Sequence, residues 1–194
     1  MMKMDIDKIE QMLTTKYIGR NIEYHERISS TQVRAKELAN DNMQNGSIVI
    51  AEMQTEGIGT HGRRWLANKE ENILMTIILF PECKLSEIEN LTIEIANLLV
   101  KILYDLYKIE IVVKVPNDLM LGGKKVAGIL TETKAQNEIV KSLFIGVGMN
   151  VNQQNFPEEI ESIATSLKKE TGKNFNREDI VIEFLNRFEK IWKF

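Results

Sequence analysis

The chain predicts an α+β protein built on a mixed, largely antiparallel sheet packed by helices, and three observations lead there. First, two β-branched runs, Ser47–Ala51 and Ile73–Phe80, flank a glycine-rich loop, so that loop joins strand to strand. Second, Gly122-Gly123 lies between the apolar runs Leu119–Leu121 and Lys124–Thr133, the signature of a hairpin whose turn residues take positive φ. Third, helical periodicity comes in separated blocks and does not alternate one for one with strands. No segment repeats, which leaves a single domain spanning residues 1–194.

In chain order, Asp5 to Leu13 places Ile6, Ile9, Met12 and Leu13 at helical spacing behind Asp5. Asn21–Ile28 alternates as a strand, and Ser29-Ser30-Thr31-Gln32 then opens a helix through Ala35, Leu38 and Ala39. Ser30 or Thr31 either caps that helix or offers its hydroxyl to a polar ligand; the two uses are compatible. Ser86 to Leu106 carries Ile88, Leu91, Ile95, Leu98, Leu99, Ile102 and Leu106, a long amphipathic helix that serves as scaffold. Glu110–Lys114 reads as a strand broken at Val115-Pro116-Asn117-Asp118, and the hairpin follows. Ser142–Val151 is a further strand, whose internal glycines let another group approach its backbone closely. After a polar stretch around Gly172, Asn176 to the end forms the last helix.

Composition removes several classes of function. The 194 residues are 43% hydrophobic and 27% charged, enough to bury a core, and no run approaches the roughly 18 apolar residues of a membrane span. A net charge of −3, with 25 Lys and Arg spread along the chain, gives no nucleic-acid surface, and fewer than thirty residues before Ser30 leave too little for a helix-turn-helix module. The one cysteine, Cys83, rules out an internal disulfide and cysteine-rich metal clusters, and the expected compartment is a reducing cytoplasm. His25 has no histidine or cysteine at metal-site spacing and is expected on a strand face.

The loop itself, Gln54–Trp65, has Gly57, Gly59 and Gly62 at the spacing of a dinucleotide fingerprint, but Arg63, Arg64 and Trp65 follow where that fingerprint requires an apolar helix turn. A phosphate turn needs a helix N-terminus, which a strand-to-strand loop lacks. What remains is a loop with a cationic, aromatic exit suited to covering an anionic ligand. Arg63, Arg64, Lys114, Lys124 and Lys125, with Asn117 and Asn150, sit beside glycines or at strand ends. Such a set fits polyphosphate, where catalysis is positioning and charge stabilisation.

Gln54-Thr55 with Gly57, Gly59, Gly62, Arg63 and Trp65, then Lys114–Leu119, Lys125–Leu130 and Gly146–Val151, resemble the biotin protein ligases, in family order and over most of the chain. The resemblance implies the biotin/lipoate ligase fold, related to class II aminoacyl-tRNA synthetases. It also implies the family's reaction: biotin and ATP give biotinyl-adenylate and pyrophosphate, and a lysine of a biotin carboxyl carrier protein accepts biotin. It places Lys125 between biotin carboxylate and α-phosphate, with Arg63 as a second catalytic cation on phosphate. Ser30, Thr31, Gln32, Gln54, Gly57, Ile58, Gly59, Thr60 and Gly128 would bind biotin with Lys125. Trp65, Lys114, Asn117 and Asn150 would line the nucleotide site with Arg63. Asp118 would help hold Mg2+, or else close the turn after Pro116.

The departures from the family pattern are Ile58 and Thr60, where arginines are usual, which predicts weaker retention of the adenylate. His61 either supplies a polar lid group or faces solvent. The resemblance also implies a small C-terminal β domain, expected here to be absent or truncated, and homodimerisation through a sheet edge. The competing readings are a lipoate ligase-like enzyme, disfavoured by the whole-string matches, and a non-catalytic biotin-sensing module.

Overall fold

The computed structural model describes residues 2–41 and 43–194. Helix α1 (Ile6–Met12) leads to β1 (Ile22–His25), α2 (Thr31–Leu38) and β2 (Ile48–Ala51). The glycine loop connects to β3 (Asn72–Leu79), followed by the short β4 (Cys83–Lys84) and α3 (Leu91–Tyr107). Then come β5 (Val112–Lys114), β6 (Asp118–Leu121), β7 (Lys124–Gln136) and β8 (Ile139–Asn150). Three helices close the chain: α4 (Glu158–Glu161), α5 (Leu167–Thr171) and α6 (Arg177–Ile191).

The sheet runs β1-β2-β3-β8-β7-β6-β5, with β4 beside β8. Among the described residues, β1 and β2 are the only paired strands that run parallel, so the mixed, largely antiparallel sheet expected from the sequence is present. Strand β3 is buried along its whole length, which is why it reads as a near-continuous apolar run. Alternation sorts its neighbours between two faces. Val49, Ile78 and Phe144 pack against Ala35 and Leu38 of α2. Ile48, Ile50, Ile77 and Ile145 join the larger core with residues of α1, α3 and α6. The result is three layers, with α2 alone on one side.

Gly122 (φ 58°) and Gly123 (φ 78°) make the β6–β7 turn, the left-handed pair that only glycine adopts without strain. Three details differ from expectation. Met12 is exposed, and Leu13 takes the core position at the end of α1. The helix expected from Ser86 starts at Leu91, because Leu85–Ile88 forms a tight turn in which Glu87 accepts the Lys84 N–H (2.7 Å). Strand β1 ends at His25, beyond which Ile28 pairs with Gln54 at the root of the glycine loop. His25 sits half-buried against Glu23, as a strand-face residue.

Candidate functional site

The glycine loop folds back across the sheet. Its arc closes through Gly59 N–H to the Arg63 carbonyl (2.7 Å) and Trp65 N–H to the Gly57 carbonyl (2.9 Å), with His61 and Gly62 at positive φ at the tip. Gly57 has no room for a side chain: a Cβ would lie 2.6 Å from the Trp65 carbonyl oxygen. The Trp65 indole rests over Gly128 and Gly148, which are direct partners in the β7–β8 ladder. Any larger residue on either strand would push it away.

Two cavities meet under this arc. The first is lined by Thr31, Gln32, Gln54, Ile58, Thr76, Gly128 and Gly146 among others, and encloses about 40 Å³. That is room for two or three waters, so a larger ligand extends into the open mouth or displaces lining side chains. The second holds about 540 Å³ and is lined by Arg63, Arg64, Lys114, Asp118, Asn150 and the Glu159–Ala164 segment. Gly59, Thr60, Trp65 and Lys125 line both.

The first cavity has a polar floor. Gln54 Oε1 accepts from the Thr31 N–H (2.7 Å) and hydroxyl (3.0 Å), and Thr76 Oγ lies 2.9 Å from Thr31 Oγ and 3.1 Å from Gln32 Oε1. Gln32 Nε2 donates to Glu132 (2.8 Å), leaving its amide fully oriented. Ser30 occupies the N-cap position of α2, yet its hydroxyl caps nothing and has no partner among the described residues, although it is buried. The capping reading therefore fails for its side chain.

Lys125 is fixed from three directions. Its N–H donates to the Ile163 carbonyl (2.8 Å), its carbonyl accepts from Thr165 N–H (2.9 Å), and its ammonium lies 2.6 Å from Asp118 Oδ1. Nζ also stands 5.4 Å from the centroid of the Trp65 ring. Asn150 donates through Nδ2 to the Thr165 carbonyl (3.0 Å), and its buried Oδ1 has no partner among the described residues. Asn117, expected on the nucleotide side, instead lines the first cavity and donates to the Ile129 carbonyl (3.3 Å). The register of β6 on β7 decides this, since it sets the start of β6 opposite Gly128 under the indole.

The described residues gather no cluster of three metal-binding side chains. Asp118 is already paired with Lys125, so it offers one shared carboxylate and not a dedicated cation site. Thr76, with the Ile163–Thr165 segment and Glu170, which accepts from Thr165 Oγ (2.5 Å), escaped the sequence reading. A threonine within an apolar strand and a polar stretch far along the chain carry no local signal of a site.

A mixed sheet with a glycine arc laid over it, and a lysine standing where two cavities meet, define an α+β domain with a candidate ligand site. The profile of the Biotin/lipoate A/B protein ligase family matches residues 24–150, and the chain belongs to that family. It is 38% identical over 193 residues to the bifunctional ligase/repressor BirA of Bacillus subtilis, covering 98% of this chain but 59% of that protein. It is 35% identical over 127 residues to the biotin–[acetyl-CoA-carboxylase] ligase of Mycobacterium tuberculosis, covering 63% of this chain and 45% of that protein. Among solved structures, the biotin protein ligase of Aquifex aeolicus in complex with biotin and ATP superposes with a TM-score of 0.74 at 32% identity, over 88% of this chain and 69% of that one.

Proposed function

We propose that this chain forms biotinyl-adenylate from biotin and ATP and passes the biotinyl group to a lysine of a biotin carboxyl carrier protein. The observation that carries the reading is the position of Lys125, the cation common to a small polar-floored cavity and a larger cation-lined one. The Aquifex relative was solved with both small molecules in this reading.

The first cavity takes the ureido head, with the Thr31–Gln54 pair and Gln32 as its polar lining and the unpartnered Ser30 hydroxyl one residue earlier at the helix start. Gly57, Ile58, Gly59 and Thr60 form the covering arc, while Gly128 leaves space for the indole. The second cavity takes the nucleotide, with Arg63, Lys114 and Asn150 on its walls and Trp65 and Lys125 at the junction. A biotin carboxylate oxygen then forms a bond to the α-phosphorus as the bond to the bridging oxygen breaks and pyrophosphate departs. Attacker and target are both anionic, so an ammonium held between them lowers the barrier by neutralising charge that grows in the transition state. In the second half-reaction the neutral amine of the carrier lysine attacks the acyl carbon and AMP leaves. Magnesium bound with ATP would supply further neutralisation of the phosphates; the second cavity offers it the Glu159 carboxylate and the Asp118 carboxylate shared with Lys125. The compartment in this reading is the cytoplasm. A homodimer has a free sheet edge to use, since β6 covers β7 only as far as Gly128.

The test is biotin-dependent exchange of labelled pyrophosphate into ATP, run for the wild type and Lys125→Ala with lipoate as the parallel substrate. Exchange with biotin that falls at least a hundredfold in the variant supports the reading, at the scale of losing one preorganised charge. Exchange with lipoate alone assigns the cavity to the other half of the family, and binding without exchange assigns the chain to biotin sensing.

A further inference from the structure

The glycine loop leaves the sheet at the end of β2 and returns at the start of β3, and both roots touch the same buried group. Arg177, the first residue of α6, is 4% exposed, and its Nη1 donates to Glu52 Oε2 (2.6 Å) and to the Asn72 carbonyl (3.0 Å). Its Nη2 donates to Glu52 Oε1 (3.3 Å) and to the Met2 carbonyl (2.9 Å). Glu52 follows β2 directly and is 1% exposed; Asn72 is the first residue of β3. Glu52 Oε1 further accepts from the Met4 N–H (2.5 Å) and the Tyr24 hydroxyl (3.0 Å). Asn72 passes the connection on, accepting from Val151 N–H and donating to Gln153, which in turn accepts from the Asn68 N–H.

A buried ion pair is not needed for stability, since apolar residues of the same volume serve that end as well. Its value here lies in geometry: a planar guanidinium has donors enough for a carboxylate and a carbonyl at once and keeps them at one separation. We propose that Arg177, with Glu52, is a positioning residue for the ligand cavities, fixing the spacing of the two loop roots and so the seating of the Gly57–Trp65 arc on Gly128 and Gly148. Because Gly59, Thr60 and Trp65 of that arc line both cavities, its seating governs how fast ligand leaves. The inference about ligand rests on the proposed function; the inference about the loop does not.

The experiment compares Arg177→Lys and Glu52→Gln with Phe188→Leu, a core change in the same helix that softens α6 without touching the clamp. Two quantities are read on folded protein below its thermal midpoint: amide hydrogen exchange of residues 57–65 without ligand, and the dissociation rate of biotinyl-adenylate. The expected result is faster exchange in the arc and release on the order of tenfold faster in both clamp variants, with Phe188→Leu at wild-type values, a size in keeping with a sub-ångström displacement of a positioning element. Lysine keeps the charge but cannot span both partners. If Arg177→Lys does not fold, Glu52→Gln, close in shape to the native side chain, decides alone. Wild-type behaviour in the clamp variants overturns the proposal, as does equal loosening in Phe188→Leu. If the wild type forms no adenylate while the arc still loosens only in the clamp variants, the proposed function fails and the clamp stands.

Discussion

The Trp65 ring occupies the space that a side chain on Gly148 would need, Cε2 standing 2.6 Å from the position of a Cβ there. Gly148→Ala therefore lifts the indole from the ladder and moves the roof of both cavities. Overpacking of this kind costs about 1–3 kcal/mol. The expected outcome is a roughly tenfold to hundredfold rise in the biotin dissociation constant by calorimetry, with a smaller change in thermal midpoint because the arc yields before the sheet does. Unaltered affinity in a folded variant would show that the ring does not shape the cavity.

Ser30 permits a test in which stability and binding move in opposite directions. Its hydroxyl is buried without a partner in the free protein, so Ser30→Ala removes an unsatisfied group and is expected to leave the thermal midpoint unchanged or raised. Biotin affinity should fall about tenfold if the hydroxyl meets the ureido head, the worth of one hydrogen bond in a closed site. A fall in midpoint together with unchanged affinity would return Ser30 to a structural role.

The strings Lys125–Leu130 and Gly146–Val151 were legible because a glycine within a strand announces close approach before any partner is known. That the two segments pair, with Gly128 facing Gly148, followed only from the register of β7 on β8. The strand-to-strand nature of the loop was equally legible from the β-branched runs on either side. The Glu52–Arg177 pair was not. Its members lie 125 residues apart, one looking like a polar strand end and the other like an ordinary charge in a helix's first turn. Burial alone separates them from solvated charges, and burial is a property of the whole fold. For the same reason Asn117 could be tied to a motif while the cavity it lines could not be read.

Acid stability should depend on Glu189. Burial opposes its ionisation, but its carboxylate accepts from the backbone N–H groups of Lys16, Tyr17 and Ile18, which outweigh burial and hold its pKa below the ordinary glutamate value. A carboxyl whose folded pKa is depressed stabilises above its unfolded pKa, and that contribution is lost as pH falls through the folded value. Denaturant midpoints of the wild type should therefore decline as pH drops below about 4.5, the ordinary range of the group. Glu189→Gln should be less stable at neutral pH by about 2 kcal/mol, the scale of hydrogen bonds to a charged acceptor, and should show a shallower decline in acid. Parallel pH curves for the two proteins would exclude Glu189 as a contributor.

Thr60 lines both cavities at the crest of the arc, and Arg63 folds back on it, Nε to the Thr60 carbonyl and Nη2 to its hydroxyl (each 3.3 Å). With Ile58 41% exposed beside it, the arc presents apolar and hydroxyl groups where a guanidinium would meet the phosphate of an adenylate. In the proposed function, retention then rests on Lys125 and Arg63 and on how well the arc closes. Thr60→Arg adds one charged donor at the junction, and a charge-assisted hydrogen bond is worth about 1.5–3 kcal/mol. The half-life of bound biotinyl-adenylate, followed after dilution into unlabelled ligand, is expected to lengthen at least tenfold. The same variant should label free amines in solution more slowly, since less adenylate escapes before a carrier lysine arrives. An unchanged half-life would mean that the arc with its present cations already retains the intermediate, and that Thr60 in place of arginine carries no cost in leakage.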